Sequence, residues 1–205
     1  MSLYAFFIAA LVLALTPGPG IAYVVARTIA GGRREGLASC VGTGLGGLVH
    51  VVATALGLSV FVAQSAMAFS IIKFLGAAYV IYLGVRILLK KHESLGVLDT
   101  STTKGMRKAF LEGVVVESLN IKTALFFLAF LPQFTTPNES IVTQLIILGG
   151  ISVSLNTLVD IAAVFGAQQL MKSYATQTLR LQVMQRSSGL TMLGLGIYLT
   201  FAKRS

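Results

Sequence analysis

Leu13-Ala14-Leu15-Thr16-Pro17-Gly18-Pro19-Gly20-Ile21-Ala22 joins two apolar stretches through two prolines and two interleaved glycines. Leu3–Leu15 before the join carries no charge, and the apolar run resumes at Ile21 and continues to Ala26. Pro17 and Pro19 each remove a backbone donor and clash with the preceding turn, while Gly18 and Gly20 permit torsions that other residues avoid. A helix must break or unwind here. In hydrocarbon, freed backbone groups are tolerated only against protein or a watery cavity. A simple kink is the bland reading, but paired prolines and glycines argue for an unwound segment inside a membrane span. Met1–Tyr4 has no Lys or Arg and the join is not a small-x-small cleavage site, so the segment reads as a retained first span, not a signal peptide.

The rest of the chain is built of the same material. Of 205 residues, 55% are hydrophobic and 11% charged, against roughly 25% charged in an average globular protein. Apolar runs such as Leu48–Ala63 and Phe110–Leu131 cannot all face one soluble core. About six spans of roughly 20 residues each use up the length. The chain therefore reads as an all-α integral membrane protein, one membrane domain over residues 1–205. Spans are predicted near 3–26, 37–64, 66–89, 109–131, 142–165 and 188–202.

A net charge of +9 would suggest nucleic acid in a soluble protein. Here the basic residues sit at the ends of apolar runs, with no aromatic-interleaved basic patch, which excludes nucleic acid and points to the lipid bilayer. Loops 27–36, 90–108 and 166–187 and their flanks hold most of the Lys and Arg, against Lys73, Lys203 and Arg204 on the other side. Those three loops are expected in the cytoplasm and both termini in the periplasm. Cys40 is alone, so no intramolecular disulfide forms, and it reads as a small packed residue; His92 reads as a solvated loop residue.

The halves echo one another. Spans one and four are each interrupted, at Thr16–Gly20 and Ser118–Lys122. Spans two and five carry glycines early (Gly42, Gly44, Gly46, Gly47; Gly149, Gly150), then a polar residue, His50 or Asp160, before Gly57 or Gly166. Three spans per half is an odd number, so two repeats, about 1–90 and 109–205 around the loop at 90–108, must lie in opposite orientations. Inverted repeats with broken first and fourth helices point to a transporter with its site at the midplane. The bland alternative is that glycine-rich membrane helices look alike by chance.

Lys122 falls within the second interruption, beside Asn120. A charged Lys in mid-membrane costs roughly 2.5–3.5 kcal/mol on insertion scales and must find water or a partner; Asp160 and Glu117 are the candidates, and a purely structural ion pair is the alternative. The second half-helices begin at Pro19–Gly20 and just after Asn120, where free amides and a partial positive charge suit a carboxylate, with Lys122 adding to the field. Carbonyls near Leu15 and Glu117 would suit an ammonium group. Thr16, Pro17, Gly18, Pro19, Gly20, Asn120 and Lys122 are thus the candidate substrate site for an amino acid zwitterion. Asp160, Glu117 and His50 are the candidates for proton coupling, although His50 could equally be a neutral imidazole bonded between helices. Gly42, Gly46 and the glycines near Gly189–Gly196 permit close helix contact, within one subunit or, as a second use, in a homodimer.

An enzyme buried in the membrane is the rival class. It would want paired His, an activated nucleophile or acids at metal spacing, and two separated His, one Cys and scattered acids give little to build on. No metal site or cofactor is expected, and no GxxxxGK[ST] motif occurs to drive pumping with ATP.

Several segments, taken together, resemble the lysine exporter/homoserine–threonine resistance family of bacterial amino acid efflux proteins. They are Leu15-Thr16-Pro17-Gly18-Pro19, Gly32-Arg33-Arg34-Glu35-Gly36-Leu37, Gly42–Gly47, Leu75-Gly76-Ala77-Ala78-Tyr79, Tyr82-Leu83-Gly84, Asn120-Ile121-Lys122, Phe126-Phe127-Leu128 and Leu131-Pro132-Gln133-Phe134. The resemblance implies a small inner-membrane secondary exporter of amino acids driven by the proton motive force. Two features depart from the family pattern. Ile121 stands where the family usually has proline, which implies a milder break, and Glu117 stands where a neutral polar residue is expected. Gly46 and Gly47 replace an acid that exporters of basic amino acids tend to carry, which favours neutral substrates such as homoserine, threonine or leucine, although Glu117 restores a negative charge. A basic amino acid or a metal cation is the alternative cargo.

Overall fold

The computed structural model describes residues 3–64, 105–136 and 139–170, with single helical positions at 74, 78, 81, 82, 85, 190, 193, 194 and 197. Among the described residues there are helices and no strands: α1 (Leu3–Leu15), α2 (Pro19–Gln64), α3 (Met106–Ser118), α4 (Ile121–Leu125) and α5 (Ile141–Leu170). After α4 the chain continues through a π-helical turn, Phe126–Phe130, and a 3-10 turn, Leu131–Phe134.

The chain of α2 doubles back on itself. It is helical on both sides of Gly32, which has φ 75° and ψ −174°. Any side chain at Gly36 would collide with Thr28, and Val24 shares a buried cluster with Cys40. A straight helix would put residues 24 and 40 about 24 Å apart along its axis. Residues 19–31 and 33–64 are therefore two arms packed side by side. A positive φ is cheap only for glycine, which is why the reversal falls there. The loop expected at 27–36 is corrected to a single-residue turn at Gly32, and Arg33, next to it, lies 5.3 Å from the centre of the Phe165 ring on α5.

Pro19–Gly57 and Ile141–Ala167 are long and apolar enough to cross a membrane, and Met106–Ser118 with Ile121–Phe134 adds a third crossing if that bent pair is one span. The second arm of α2 alone exceeds the roughly 20 residues that a span needs. Val41, Leu45, Leu48, Val52 and Leu56 are exposed along one side of that arm, the apolar stripe that a lipid-facing helix presents.

Glycines set the inner face. A Cβ at Gly42 would collide with the Phe110 carbonyl, one at Gly46 would lie 2.6 Å from the Val114 carbonyl oxygen, and one at Gly113 would lie 2.8 Å from that of Ser39. These contacts join α2 to α3 backbone against backbone, so Gly42 and Gly46 are used within one subunit. Gly47 faces Val153 of α5. The apolar core gathers Phe6, Ala10 and Leu13 of α1 against Phe127, Phe130 and Leu145. The predicted third and sixth spans lie outside the described residues apart from single positions, as do most of the loops at 90–108 and 166–187.

Candidate functional site

The two helix breaks meet. At the first, Thr16 closes α1 by donating its hydroxyl to the Val12 carbonyl at 2.7 Å; Pro17 and Gly18 are non-helical, and Pro19 opens α2, where a missing N–H costs nothing. At the second, Leu119 and Asn120 separate α3 from α4, and the pair bends by 43°. Asn120 has extended torsions, φ −75° and ψ 101°, and its side chain accepts from the Lys122 N–H at 3.1 Å. That is an N-cap.

Lys122 reaches from the second break into the first. Its Nζ donates to the carbonyls of Thr16 at 2.8 Å and Leu13 at 3.2 Å, the unsatisfied end of α1. The lysine arm passes Gly18, where a Cβ would sit 3.0 Å from both Cε and Nζ. An ammonium suits the negative end of a helix. The partners expected for Lys122 are corrected accordingly: among the described residues it is paired with neither Glu117 nor Asp160.

The second break has a counterpart. His50 Nε2 donates to the Glu117 carbonyl at 2.8 Å, at the end of α3, where the Asn120 N–H also donates at 3.0 Å. Each first half-helix thus has its terminal carbonyls held by a side chain from a facing element. The carbonyls expected to receive a substrate ammonium are taken in this structure by Lys122 and His50.

The Glu117 carboxylate turns the other way. It accepts from Asn120 Nδ2 at 2.9 Å and from the Thr123 hydroxyl at 2.6 Å, spanning its own break. Its Oε2 also lies against Gly20, leaving no room there for a side chain. Glu117 is 2% exposed and Asp160 1% exposed. Asp160 stands on α5 and accepts from the Thr43 hydroxyl of α2 at 2.9 Å.

Between α2, the α3–α4 break and α5 lies a small cavity with polar walls of Thr43, Glu117, Thr123, Ser152, Asn156 and Thr157. Leu13, Phe127 and Val153 complete it on the apolar side. Sequence reasoning missed these hydroxyls and Asn156. A usable signal was present: Ser152, Asn156 and Asp160 recur every fourth residue, one polar face in an apolar helix.

A second polar cluster sits where the arms of α2 meet. Arg27, counted above with the loop at 27–36, is corrected to a buried helical residue, 1% exposed, with Nη1 3.6 Å from Glu35 Oε2. Glu35 also accepts from the Gly105 N–H at 2.8 Å. The Tyr23 hydroxyl lies 3.0 Å from both the Ala109 carbonyl and the Glu112 carboxylate. Among the described residues no group of His, Cys, Asp and Glu is arranged to hold a metal ion.

A helical membrane protein with two broken helices meeting around buried charge is built as a transporter is built, and comparison with known proteins gives that class. The chain belongs to the LysE type translocator family, whose profile matches residues 11–203. It is 34% identical over 209 residues to YrhP, an uncharacterised membrane protein of Bacillus subtilis, covering 96% of this chain and 97% of that protein. It is 28% identical to a homoserine/homoserine lactone efflux protein of Salmonella typhimurium, covering 76% and 75% of the two chains. A leucine efflux protein of the same organism is 25% identical, covering 69% and 68%. No solved structure matches the chain. The family resemblance read from the sequence therefore holds, and the chain is a membrane translocator, not an enzyme.

Proposed function

We propose that this protein is a secondary active exporter of neutral amino acids, driven by the proton motive force across a bacterial inner membrane. The observation that carries the reading is the meeting of the two breaks through Lys122, whose Nζ bonds to Thr16 and Leu13 of the opposite half. An ammonium has three donors; among the described residues two go to carbonyls, and the third is left for a substrate carboxylate. The start of α2 at Pro19–Gly20 and the start of α4 after Asn120 add the positive ends of two helices.

Neutral cargo fits the glycine cluster. A Cβ at Gly46 would lie 2.6 Å from the Val114 oxygen and 2.8 Å from Glu117 Cβ, so no acid can stand there, and Glu117 from α3 fills the place. One carboxylate at the cavity suits one ammonium. Leucine, homoserine and homoserine lactone, in the names of two relatives, all carry an α-amino group, and the first two a free carboxylate as well. Asp160 is the leading proton-linked residue, because an ionisable group inside a membrane is functional by default. The two halves, 1–90 and 109–205, form inverted repeats that each supply one broken helix, with 27–36, 90–108 and 166–187 cytoplasmic and both termini periplasmic; the paired breaks support this.

Expression in a bacterium sensitive to toxic amino acids or their analogues tests the reading. Resistance that an uncoupler abolishes is the expected result. Resistance that survives the uncoupler removes proton coupling, and no resistance to any amino acid removes the function.

A further inference from the structure

The cavity between α2, the α3–α4 break and α5 has hydroxyls whose protons are already committed. Thr43 donates to Asp160 Oδ2 at 2.9 Å or to the Cys40 carbonyl at 3.0 Å. Thr123 donates to Glu117 at 2.6 Å, and Ser152 to the Leu148 carbonyl at 3.0 Å. A hydroxyl has one proton, so toward the cavity these three side chains offer only oxygen lone pairs. Asn156 and Thr157, on the α5 wall, can turn either a donor or an acceptor inward.

Glu117 gives this wall a charge. Its carboxylate accepts from Asn120 and Thr123, which fills about two of roughly four lone-pair positions. Among the described residues it has no ion-pair partner, although it is 2% exposed. Lys122, the nearest candidate in sequence, is turned toward the end of α1. A buried carboxylate with hydrogen bonds and no ion-pair partner in contact is costly, and a cation beside it relieves that cost.

We propose that this cavity is a subsite for a small monovalent cation, with Glu117 as the counter-charge and the Thr43, Thr123 and Ser152 oxygens as further acceptors. It has room for about one water-sized group, which fits an ammonium head or a bare alkali cation but not a whole amino acid. The subsite rests on the export reading for its first occupant, the ammonium of the transported amino acid. A free sodium ion has the same chemistry and is the second.

Thermal melting of the purified full chain in detergent separates these sources. L-leucine and 4-methylpentanoate, the same molecule without its amine, are titrated in choline chloride, and sodium chloride is titrated against choline chloride without amino acid. If the subsite holds the substrate ammonium, leucine stabilises the protein in choline and 4-methylpentanoate does not. Glu117→Gln should then weaken leucine about ten- to a hundredfold. If it holds sodium, sodium chloride alone stabilises the wild type, and Glu117→Gln abolishes that response. Should Glu117→Gln fold poorly, Ser152→Ala serves, because among the described residues its hydroxyl bonds only within its own helix; it should weaken the same ligand several-fold at an unchanged ligand-free melting temperature. Leucine affinity that is unchanged in both variants, with no sodium response, overturns the subsite while leaving export intact. Wild-type protein that responds to neither probe overturns the subsite as well, and the resistance assay then decides the export reading separately.

Discussion

Lys122→Met removes an ammonium and keeps an unbranched apolar arm of similar length, so the passage beside Gly18 stays filled. What is lost is the pair of bonds from Nζ to Thr16 at 2.8 Å and Leu13 at 3.2 Å. A hydrogen bond to a charged group contributes about 1.5–3 kcal/mol net. Two would be worth more, but water entering the break would satisfy part of the carbonyl demand, so a loss on the order of 2 kcal/mol in folded stability is expected. The third donor gives a separate readout. If it holds the substrate carboxylate, Lys122→Met should weaken leucine about ten- to a hundredfold and 3-methylbutylamine, the amine without its carboxylate, far less. Melting curves with each ligand measure both effects. Equal losses for amino acid and amine would leave Lys122 as a clamp between the breaks with no part in binding. An unchanged melting temperature would refute the clamp itself.

Asp160→Asn keeps the size and the bond from Thr43 but cannot titrate; in proteoliposomes it should sharply reduce efflux driven by an imposed pH gradient while exchange persists, and full gradient-driven efflux would exclude Asp160. Gly42→Ala brings a Cβ against the Phe110 backbone carbonyl, whereas Gly150 has nothing within 4 Å. The first should lower the melting temperature, and Gly150→Ala should hold or raise it by restricting the unfolded chain, worth about 0.4–1 kcal/mol; equal effects would refute the seam between α2 and α3. With Cys40→Ser as background, an impermeant thiol reagent on whole cells should label Asn138→Cys and not Ser94→Cys, and the reverse pattern would invert the proposed orientation.

Both breaks were legible in the sequence because their causes are local. Proline removes a donor wherever it stands, and Asn120 caps a helix through its own side chain. The loop read at 27–36 misled for the same reason. Two adjacent glycines and two arginines look like a loop, yet only Gly32 has positive φ, and the helix resumes at once. The partners of Lys122 were not legible, because they are the backbone carbonyls of Leu13 and Thr16, which no residue type announces. The cavity hydroxyls were hidden differently. Ser152 bonds back to the Leu148 carbonyl, as serine commonly does within a helix, and only its place on the cavity wall with Thr43 and Glu117 gives it the second role proposed above.

Ile121 shows what holds the second break open. Where the resemblance led to an expectation of proline, this chain has a residue with an N–H and no obstacle to helical torsions, and the helix breaks all the same, by 43°. Ile121 is 55% exposed, so its own packing does not force the bend. The constraint comes from either side of it. Asn120 caps the Lys122 N–H and donates to Glu117, Thr123 donates to the same carboxylate, and His50 secures the Glu117 carbonyl. A straight helix would draw residues 117 and 120 back into regular backbone bonds and release these side-chain partners. It would also carry Lys122 away from the end of α1. The break is therefore fixed by the groups that gather at it, and the buried acid beside it is part of what keeps the half-helix ends apart.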